Sequence, residues 1–241
     1  MNPRRHRTLA ALAGGALLLA PLAGCGSDSS SKGDAPTSRT AASAGIDKTV
    51  FVSDLLGKID PEKYVHLTVE AGTLFSASGD VDFTSTPPRI ALDVAFGGSK
   101  RSIVLADGAL YLQKSPGGDY RKVDPKDPTL GGISSMLSGF APRDAVAGLK
   151  DGITKITSVG SGSVDGVAVT EYKVTVKPEK TTGAFKALAG SGGGPSTLDL
   201  VLYVDRDKLL RRIETEFSGQ KIALTMSDWG KPVAISVPKT A

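Results

Sequence analysis

The stretch RIALDVAFGGSKRSIVLADGALYLQK, residues 89–114, decides the fold of this 241-residue chain. Apolar side chains alternate with polar or small ones in three short runs, Arg89–Phe96, Arg101–Ala106 and Ala109–Lys114. A period of two residues predicts β-strands with one apolar face. Between the last two runs, Asp107-Gly108 is a pair that tolerates the positive φ angles of a tight hairpin turn. The stretch therefore predicts an antiparallel meander.

Similar strand signals continue on both sides of this stretch. They cover Tyr64–Glu70, Leu74–Thr84, Ile153–Gly160, Val167–Lys177, Thr197–Val204, Leu210–Phe217, Lys221–Asp228 and Val233–Val237. Turn-forming Gly, Pro, Asp or Ser residues separate most of the neighbouring runs, as expected for hairpins. About ten strands with a few helices inserted predict one α+β domain built on an antiparallel sheet.

Apolar residues at helical spacing predict short helices at four places. The first helix follows Asp47, a residue type that caps helix N-termini, and ends before Pro61. The third begins after Pro142, and the fourth covers Thr181–Ala189. The second carries the apolar residues Ile133, Met136, Leu137 and Phe140.

The first 24 residues have the pattern of an export signal. Three arginines precede an apolar run at residues 9–19, which is shorter than the roughly 20 residues that a membrane-spanning helix needs. Leu22-Ala23-Gly24-Cys25 matches the bacterial lipobox, in which the cysteine receives a diacylglycerol thioether and starts the mature chain. Cys25 is the only cysteine, so we expect it to be the site of lipid attachment. The alternative is a general secretory signal in which Cys25 is incidental.

Residues 26–45 are rich in Ser and Gly and predict a flexible tether between Cys25 and a folded domain at 46–241. Removal of the signal also changes the charge. The whole chain has 29 basic and 25 acidic residues, and the signal carries three arginines and no acid, which leaves 26 against 25, or +1. A nearly neutral protein lacks the positive field that nucleic-acid binding requires, so we expect no nucleic-acid partner.

Residues that carry catalysis or bind metals are scarce in the mature chain. The sequence has no nucleophile elbow, phosphate-binding loop, dinucleotide fingerprint or zinc-protease motif. His66 is the only histidine after the signal, and its place in a predicted strand favours an ordinary histidine over a member of a Ser-His-Asp triad. We therefore expect no enzyme activity, no cofactor and no metal.

Several short motifs share one known context. They are the lipobox with its tether, the opening helix with Leu55-Leu56, Val164-Asp165-Gly166-Val167, Val204-Asp205 before Leu209–Ile213, and the closing Ser227-Asp228-Trp229-Gly230-Lys231-Pro232-Val233. Together they resemble the actinobacterial envelope lipoproteins of the LppX/LprG type. The resemblance implies a strongly curved antiparallel half-barrel with short helices across its concave face, similar to the carriers LolA and LolB. It also implies a protein anchored on the extracytoplasmic face of the cell membrane, which binds an acylated lipid or glycolipid and helps to move it through the envelope.

The resemblance transfers no binding residue one by one, so the candidates for a lipid cavity come from alternation along the chain. They are Ile90, Leu92, Val94 and Phe96 in one strand, Leu198, Leu200, Leu202 and Val204 in another, and Ile133, Met136, Leu137 and Phe140 in a helical cover. The same residues are compatible with a closed core, and the alternative function is a lipid-anchored interaction or sensor module without cargo. The expected partners are the membrane, a lipid or glycolipid and an envelope transporter, and the protein is expected to be a monomer.

Overall fold

The computed structural model describes residues 45–240, with the exception of 74, 125–140, 184 and 187–193. Cys25, the predicted signal, nearly all of the predicted tether, and Ile133, Met136, Leu137 and Phe140 lie outside the described residues. The described strands are β1 Tyr64–Ala71, β2 Phe75–Asp82, β3 Arg89–Phe96, β4 Ser99–Ala106, β5 Ala109–Gln113, β6 Tyr120–Lys122, β7 Ile153–Val164, β8 Val167–Val176, β9 Leu198–Asp205, β10 Leu210–Phe217 and β11 Gln220–Ser227. The described helices are α1 Lys48–Ile59 and α2 Pro142–Leu149, with a 3₁₀ turn at Pro178–Lys180.

All eleven strands belong to one antiparallel sheet in the order β6-β5-β4-β3-β2-β1-β11-β10-β9-β8-β7. The chain runs outward from β1 to one edge strand, passes through α2 to the other edge strand, and returns to pair β11 with β1. The sheet curls without closing. The predicted α+β architecture is confirmed, with eleven strands where about ten were expected.

Two-residue turns with positive φ join several of the strand pairs. Asp107 and Gly108 have φ angles of 52° and 72° between β4 and β5, as their sequence predicts. Asp165-Gly166 and Ser218-Gly219 form corresponding turns between β7 and β8 and between β10 and β11. Asp and Gly accept this conformation at low cost, so these pairs set the register of the flanking strands.

The two helices cover one face of the sheet, which is called the concave face below. The carboxylate of Asp47 caps α1 by accepting hydrogen bonds from the backbone amides of Thr49 and Val50 at 2.8 and 2.9 Å. The buried side of α1, which includes Leu55, and that of α2, which includes Val146, join one apolar core. Every described strand except β6 contributes to that core. None of the described helices is long and apolar enough to cross a membrane.

The prediction of a strand at Val233–Val237 is wrong. β11 already has β1 and β10 on its two sides, so the segment that follows has no free neighbour in that part of the sheet. Instead, Ile235 is buried on the opposite, convex face, in a small cluster with Val104, Ala106 and Tyr111. The three-residue strand β6 was not predicted, because so short a run shows no alternation.

Candidate functional site

The β3 candidates Ile90, Leu92, Val94 and Phe96 all belong to the concave side, since alternate residues of a strand share a face. Ile90 pairs with Val81 and Leu105, and all three are buried in the main core. Burial then decreases along the strand. Ile90 is 3% exposed and Leu92 is 7% exposed, Val94 is partly buried against the core, and Phe96 is 67% exposed. The apolar column of β3 thus continues from the core to the surface.

The candidates in β9 have a different environment. Leu198, Leu200, Leu202 and Val204 are all 4% exposed or less, and they belong to the same core as Ile90 and Leu92. The structure therefore brings the β3 and β9 candidates into one apolar cluster. Their role as the wall of a lipid cavity stays a prediction.

Helix α1 lies against the side of the concave face formed by β7 and β8. The ring of Phe51 meets that of Tyr172 edge to face, with centroids 4.9 Å apart, and Lys48 donates a hydrogen bond from Nζ to the carbonyl of Ile153 at 3.4 Å. Helix α2 is joined to α1 by the ion pair of Arg143 Nε with Asp60 Oδ1 at 2.8 Å. Both side chains are about half exposed, so this ion pair adds a surface contact to the apolar packing of the two helices in the core.

On the other side of the concave face, the apolar surface is less completely covered. Phe75, Val94, Ile103 and Leu112 pack against the core but are only partly buried. Phe75, Ile103 and Leu112 were missed as candidates. The alternation of apolar residues along β4 and β5 could have identified the last two, whereas Phe75 stands in a strand of small and polar residues without a clear pattern.

A polar cluster occupies the convex face of β1 and β2. His66 Nδ1 lies 2.7 Å from Asp80 Oδ1, and His66 Nε2 lies 3.0 Å from Ser78 Oγ. Thr68 Oγ1 is 3.3 Å from the same Ser78 hydroxyl. The cluster opens on a groove of about 380 Å³ that is also lined by Tyr120. Sequence reasoning singled out His66 but did not place Asp80 or Ser78 beside it.

Serine, histidine and aspartate follow one another in this cluster as they do in a hydrolase triad. However, the backbone around Ser78 does not offer the hydrogen-bond donors of an oxyanion hole. An oxyanion needs preorganised hydrogen-bond donors. The backbone amides beside Ser78 belong to β2, an inner strand that is paired with β1 and β3 on its two sides, so the ladders use them. His66 and Asp80 are also 34% and 40% exposed, which leaves the cluster open to water. The side chains of this cluster therefore serve to link β1 to β2 by hydrogen bonds.

A second charged network lies across β9, β10 and β11. Glu214 accepts from Tyr203 Oη at 3.1 Å and pairs with Lys221 Nζ at 2.9 Å and Arg212 Nε at 2.7 Å. Burial of Glu214 alone would raise its pKa, but the hydrogen bonds from Lys221 and Tyr203 and the charge of Arg212 hold the pKa below its usual value. Burial and the bond to Glu214 raise the pKa of Tyr203 to about 12. These groups stabilise the sheet and form no metal site. In the part of the chain that the structure describes, no three carboxylate, histidine or cysteine side chains come together as metal ligands would.

Three similar proteins carry the same name, Lipoarabinomannan carrier protein LprG. The chain is 28% identical over 228 residues to that of Mycolicibacterium smegmatis, a match that covers 90% of both chains. It is 27% identical over 241 residues to that of Mycobacteroides abscessus, with 97% of this chain and 99% of the relative covered. For Mycobacterium leprae the identity is 26% over 253 residues, and the match covers 99% of each chain. No protein-family sequence model matches the chain.

Two solved structures share the fold. LprF from Mycobacterium bovis has a TM-score of 0.60 and 18% identity, with 79% of this chain and 96% of that one covered. The Mycobacterium tuberculosis lipoprotein LppX has a TM-score of 0.58 and 17% identity, with coverage of 78% and 98%. Both alignments span nearly the whole of the solved chains and more than three quarters of this chain.

Proposed function

We propose that this chain, which belongs to the LppX/LprG-type family of envelope lipoproteins, carries an acylated lipid or glycolipid on the extracytoplasmic side of the cell membrane. The carrier names of three near full-length relatives support this function, and the word lipoarabinomannan in those names supports a glycolipid as the ligand class. Cys25 is the proposed lipid-attachment site, on the strength of its lipobox.

The observation that carries the proposal is the apolar column of β3. It begins in the packed core at Ile90 and reaches the surface at Phe96, so apolar surface is available next to the covered part of the concave face. An acyl chain binds to such a surface without directional partners, at about 0.8 kcal/mol for each methylene group that leaves water. Lipid binding at such a surface therefore needs no catalytic group.

The test is mass spectrometry of organic extracts from the protein purified from an actinobacterial host. A matched pair of variants locates the binding surface. Val94→Trp adds bulk to the half-buried end of the β3 column, whereas Ala95→Trp adds the same bulk to the next residue, which points to the convex face. We expect Val94→Trp to lose most of the bound lipid and Ala95→Trp to retain it, with similar unfolding midpoints. Natural protein without bound lipid would contradict the carrier function, and equal lipid in both variants would contradict the β3 column as the binding surface.

The second candidate is an anchored interaction module with a closed core, and the burial of the β9 residues favours it. Leu200 and Leu202 are at most 1% exposed, so the part of the concave face that they occupy is filled by protein side chains. The same extraction separates the two candidates. A closed core predicts no bound lipid in the natural protein.

A further inference from the structure

The register of the sheet brings several turns together at one end of the strands. Phe75, which follows the β1–β2 turn, pairs with Ala71 and with Phe96, which precedes the β3–β4 turn. On the other side of β1, Ala71 pairs with Ile222, close to the β10–β11 turn. The turns Gly72-Thr73, Gly97-Gly98 and Ser218-Gly219 therefore lie at the same end of the strands. This end of the sheet is called the Phe96 edge below.

The chain enters the folded domain at this same edge. Ile153 pairs with Val176, and Val176 pairs with Leu198, the first residue of β9. Because β9 and β10 are antiparallel, the start of β9 lies beside the end of β10, next to the turn Ser218-Gly219. Lys48, the first residue of α1, binds the carbonyl of Ile153. The chain that leads back from α1 to Cys25 thus leaves the domain at the Phe96 edge.

The two ends of the sheet carry different charged groups. The turns at the far end contain Asp107, Asp165 and Asp207, but Asp107 pairs with Arg89 at 2.7 Å, and the turn that contains Asp207 also holds Arg206 and Lys208. The three turns that define the Phe96 edge contain no charged residue, although Glu70 and Glu216 lie two residues before two of them. The attraction of the Phe96 edge to an anionic surface therefore depends on the β3–β4 hairpin.

The β3–β4 hairpin has the chemistry of a membrane-contacting segment. Among the described residues, Phe96 is the most exposed large apolar side chain, at 67%. The two glycines that follow it have no side chain that could cover its ring. Lys100 is exposed and Arg101 is half-buried just beyond the turn, and residues 94–101 contain no carboxylate. Within the described part of the chain, neither cation forms an ion pair. An aromatic ring beside cations is suited to the interface between acyl chains and lipid phosphates.

We propose that the Phe96 edge docks on a bilayer of anionic phospholipid, with the Phe96 ring in the interfacial region and Lys100 and Arg101 beside lipid phosphates. The proposal rests on the proposed anchoring at Cys25, which would hold this edge near the membrane. Docking in this orientation places the open end of the β3 column against the bilayer. A lipid could then move between the bilayer and the concave face along Phe96 and Val94 with little exposure of its acyl chains to water.

The test uses the full chain, purified from membranes and reconstituted into vesicles of phosphatidylglycerol and phosphatidylethanolamine that contain bromine-labelled acyl chains. The natural Trp229 follows β11 at the opposite end of the sheet, and its indole donates to the carbonyl of Leu210 at 3.2 Å. The probe is therefore Phe96→Trp in a Trp229→Phe background. The matched control is Val159→Trp in the same background, since Val159 is also exposed, at 55%, but lies in β7 away from the Phe96 edge.

We expect the brominated lipids to quench Trp at position 96 at least about two-fold more than Trp at position 159. Addition of Lys100→Gln and Arg101→Gln should reduce that quenching, and vesicles of phosphatidylcholine alone should give less quenching than anionic ones. Equal quenching at positions 96 and 159 would overturn the docked orientation. Stronger quenching of Trp229 in the natural protein than of Trp at position 96 in the probe variant would overturn it as well.

The anchor and the carrier function are measured separately in the same preparations. Flotation of the chain with vesicles, and its loss in Cys25→Ser, report anchoring, while the extracted lipid reports cargo. Anchored protein with bound lipid and unquenched Trp at position 96 would overturn only the docked orientation. Protein that does not float would overturn the anchor and the docked orientation together.

Discussion

Phe75 and Phe96 are directly paired residues of β2 and β3, yet only Phe75 is packed against the core. Phe96 extends the same apolar face beyond the region that other side chains cover. The same residue type thus has two environments in neighbouring strands. The difference separates residues that hold the fold from residues that are available for function.

The first prediction concerns this pair. Phe75→Ser should lower the free energy of unfolding by about 1–3 kcal/mol, because it removes a partly buried ring. Phe96→Ser should change it by less than about 0.5 kcal/mol, since the ring is mainly exposed. Urea denaturation followed by circular dichroism measures both values. A larger loss for Phe96→Ser would show that Phe96 is a core residue.

The second prediction concerns the β9–β10 turn, where the buried carboxylate of Asp205 organises the chain. Its Oδ1 accepts from the amides of Asp207 and Leu209, both at 2.9 Å, and its Oδ2 pairs with Arg211 Nη2 at 2.6 Å. Asp205→Ala should destabilise the protein by about 3–5 kcal/mol, because it leaves a poorly exposed arginine and two amides without their acceptor. Asp207→Ala, at an exposed position of the same turn, is the control and should cost little. Equal unfolding midpoints for the two variants would contradict this assignment.

The third prediction concerns the Ser78–His66–Asp80 cluster. Ser78→Ala and His66→Asn should leave the slow hydrolysis of p-nitrophenyl acetate by the protein unchanged, because inner-strand amides are not available to stabilise an oxyanion. The measurement compares initial rates at equal protein concentration. A drop of about ten-fold or more in Ser78→Ala would identify the cluster as a hydrolytic site.

The fourth prediction concerns alkaline pH. The pKa of Tyr203 is raised from 10.0 to about 12, so the folded protein keeps this phenol protonated where the unfolded chain loses the proton. The stabilisation is therefore complete below pH 10.0 and is lost as the pH rises toward 12. Unfolding free energies measured across this range should fall less steeply in Tyr203→Phe than in the natural protein. Identical slopes would show that Tyr203 titrates normally.

Sequence patterns predicted the local structure well where the physical cause was local. The alternation in β3, the cap at Asp47 and the turn at Asp107-Gly108 depend on neighbouring residues, and all three are confirmed. The prediction of a strand at Val233–Val237 was wrong, because its apolar residues could be buried either in a further strand of the sheet or in a segment packed on the convex face. Only the pairing of β11 on both sides, a property of the whole sheet, decided between them.

The candidate site was less predictable than the fold. Alternation identified the face on which Phe96 lies, but the depth of burial depends on distant elements that cover that face. The contact of Ser78 with His66 likewise required the register of β1 on β2, because the two residues are not adjacent in the chain. Neither the depth of burial of Phe96 nor the contact between Ser78 and His66 can be predicted from the residues of a single strand.

The pairing of the first strand with the last has a consequence for how the protein is made. β1 is the first of the described strands to be synthesised, but its partner β11 is the last of them, as the pairs His66–Ser227 and Leu67–Met226 show. The strands β1 to β6 can assemble by local hairpins, yet β1 keeps an unpaired backbone edge until the C-terminal strands arrive. Such an edge can recruit strands from other nascent chains. The pairing of β11 with β1 is therefore the step that protects this protein from aggregation.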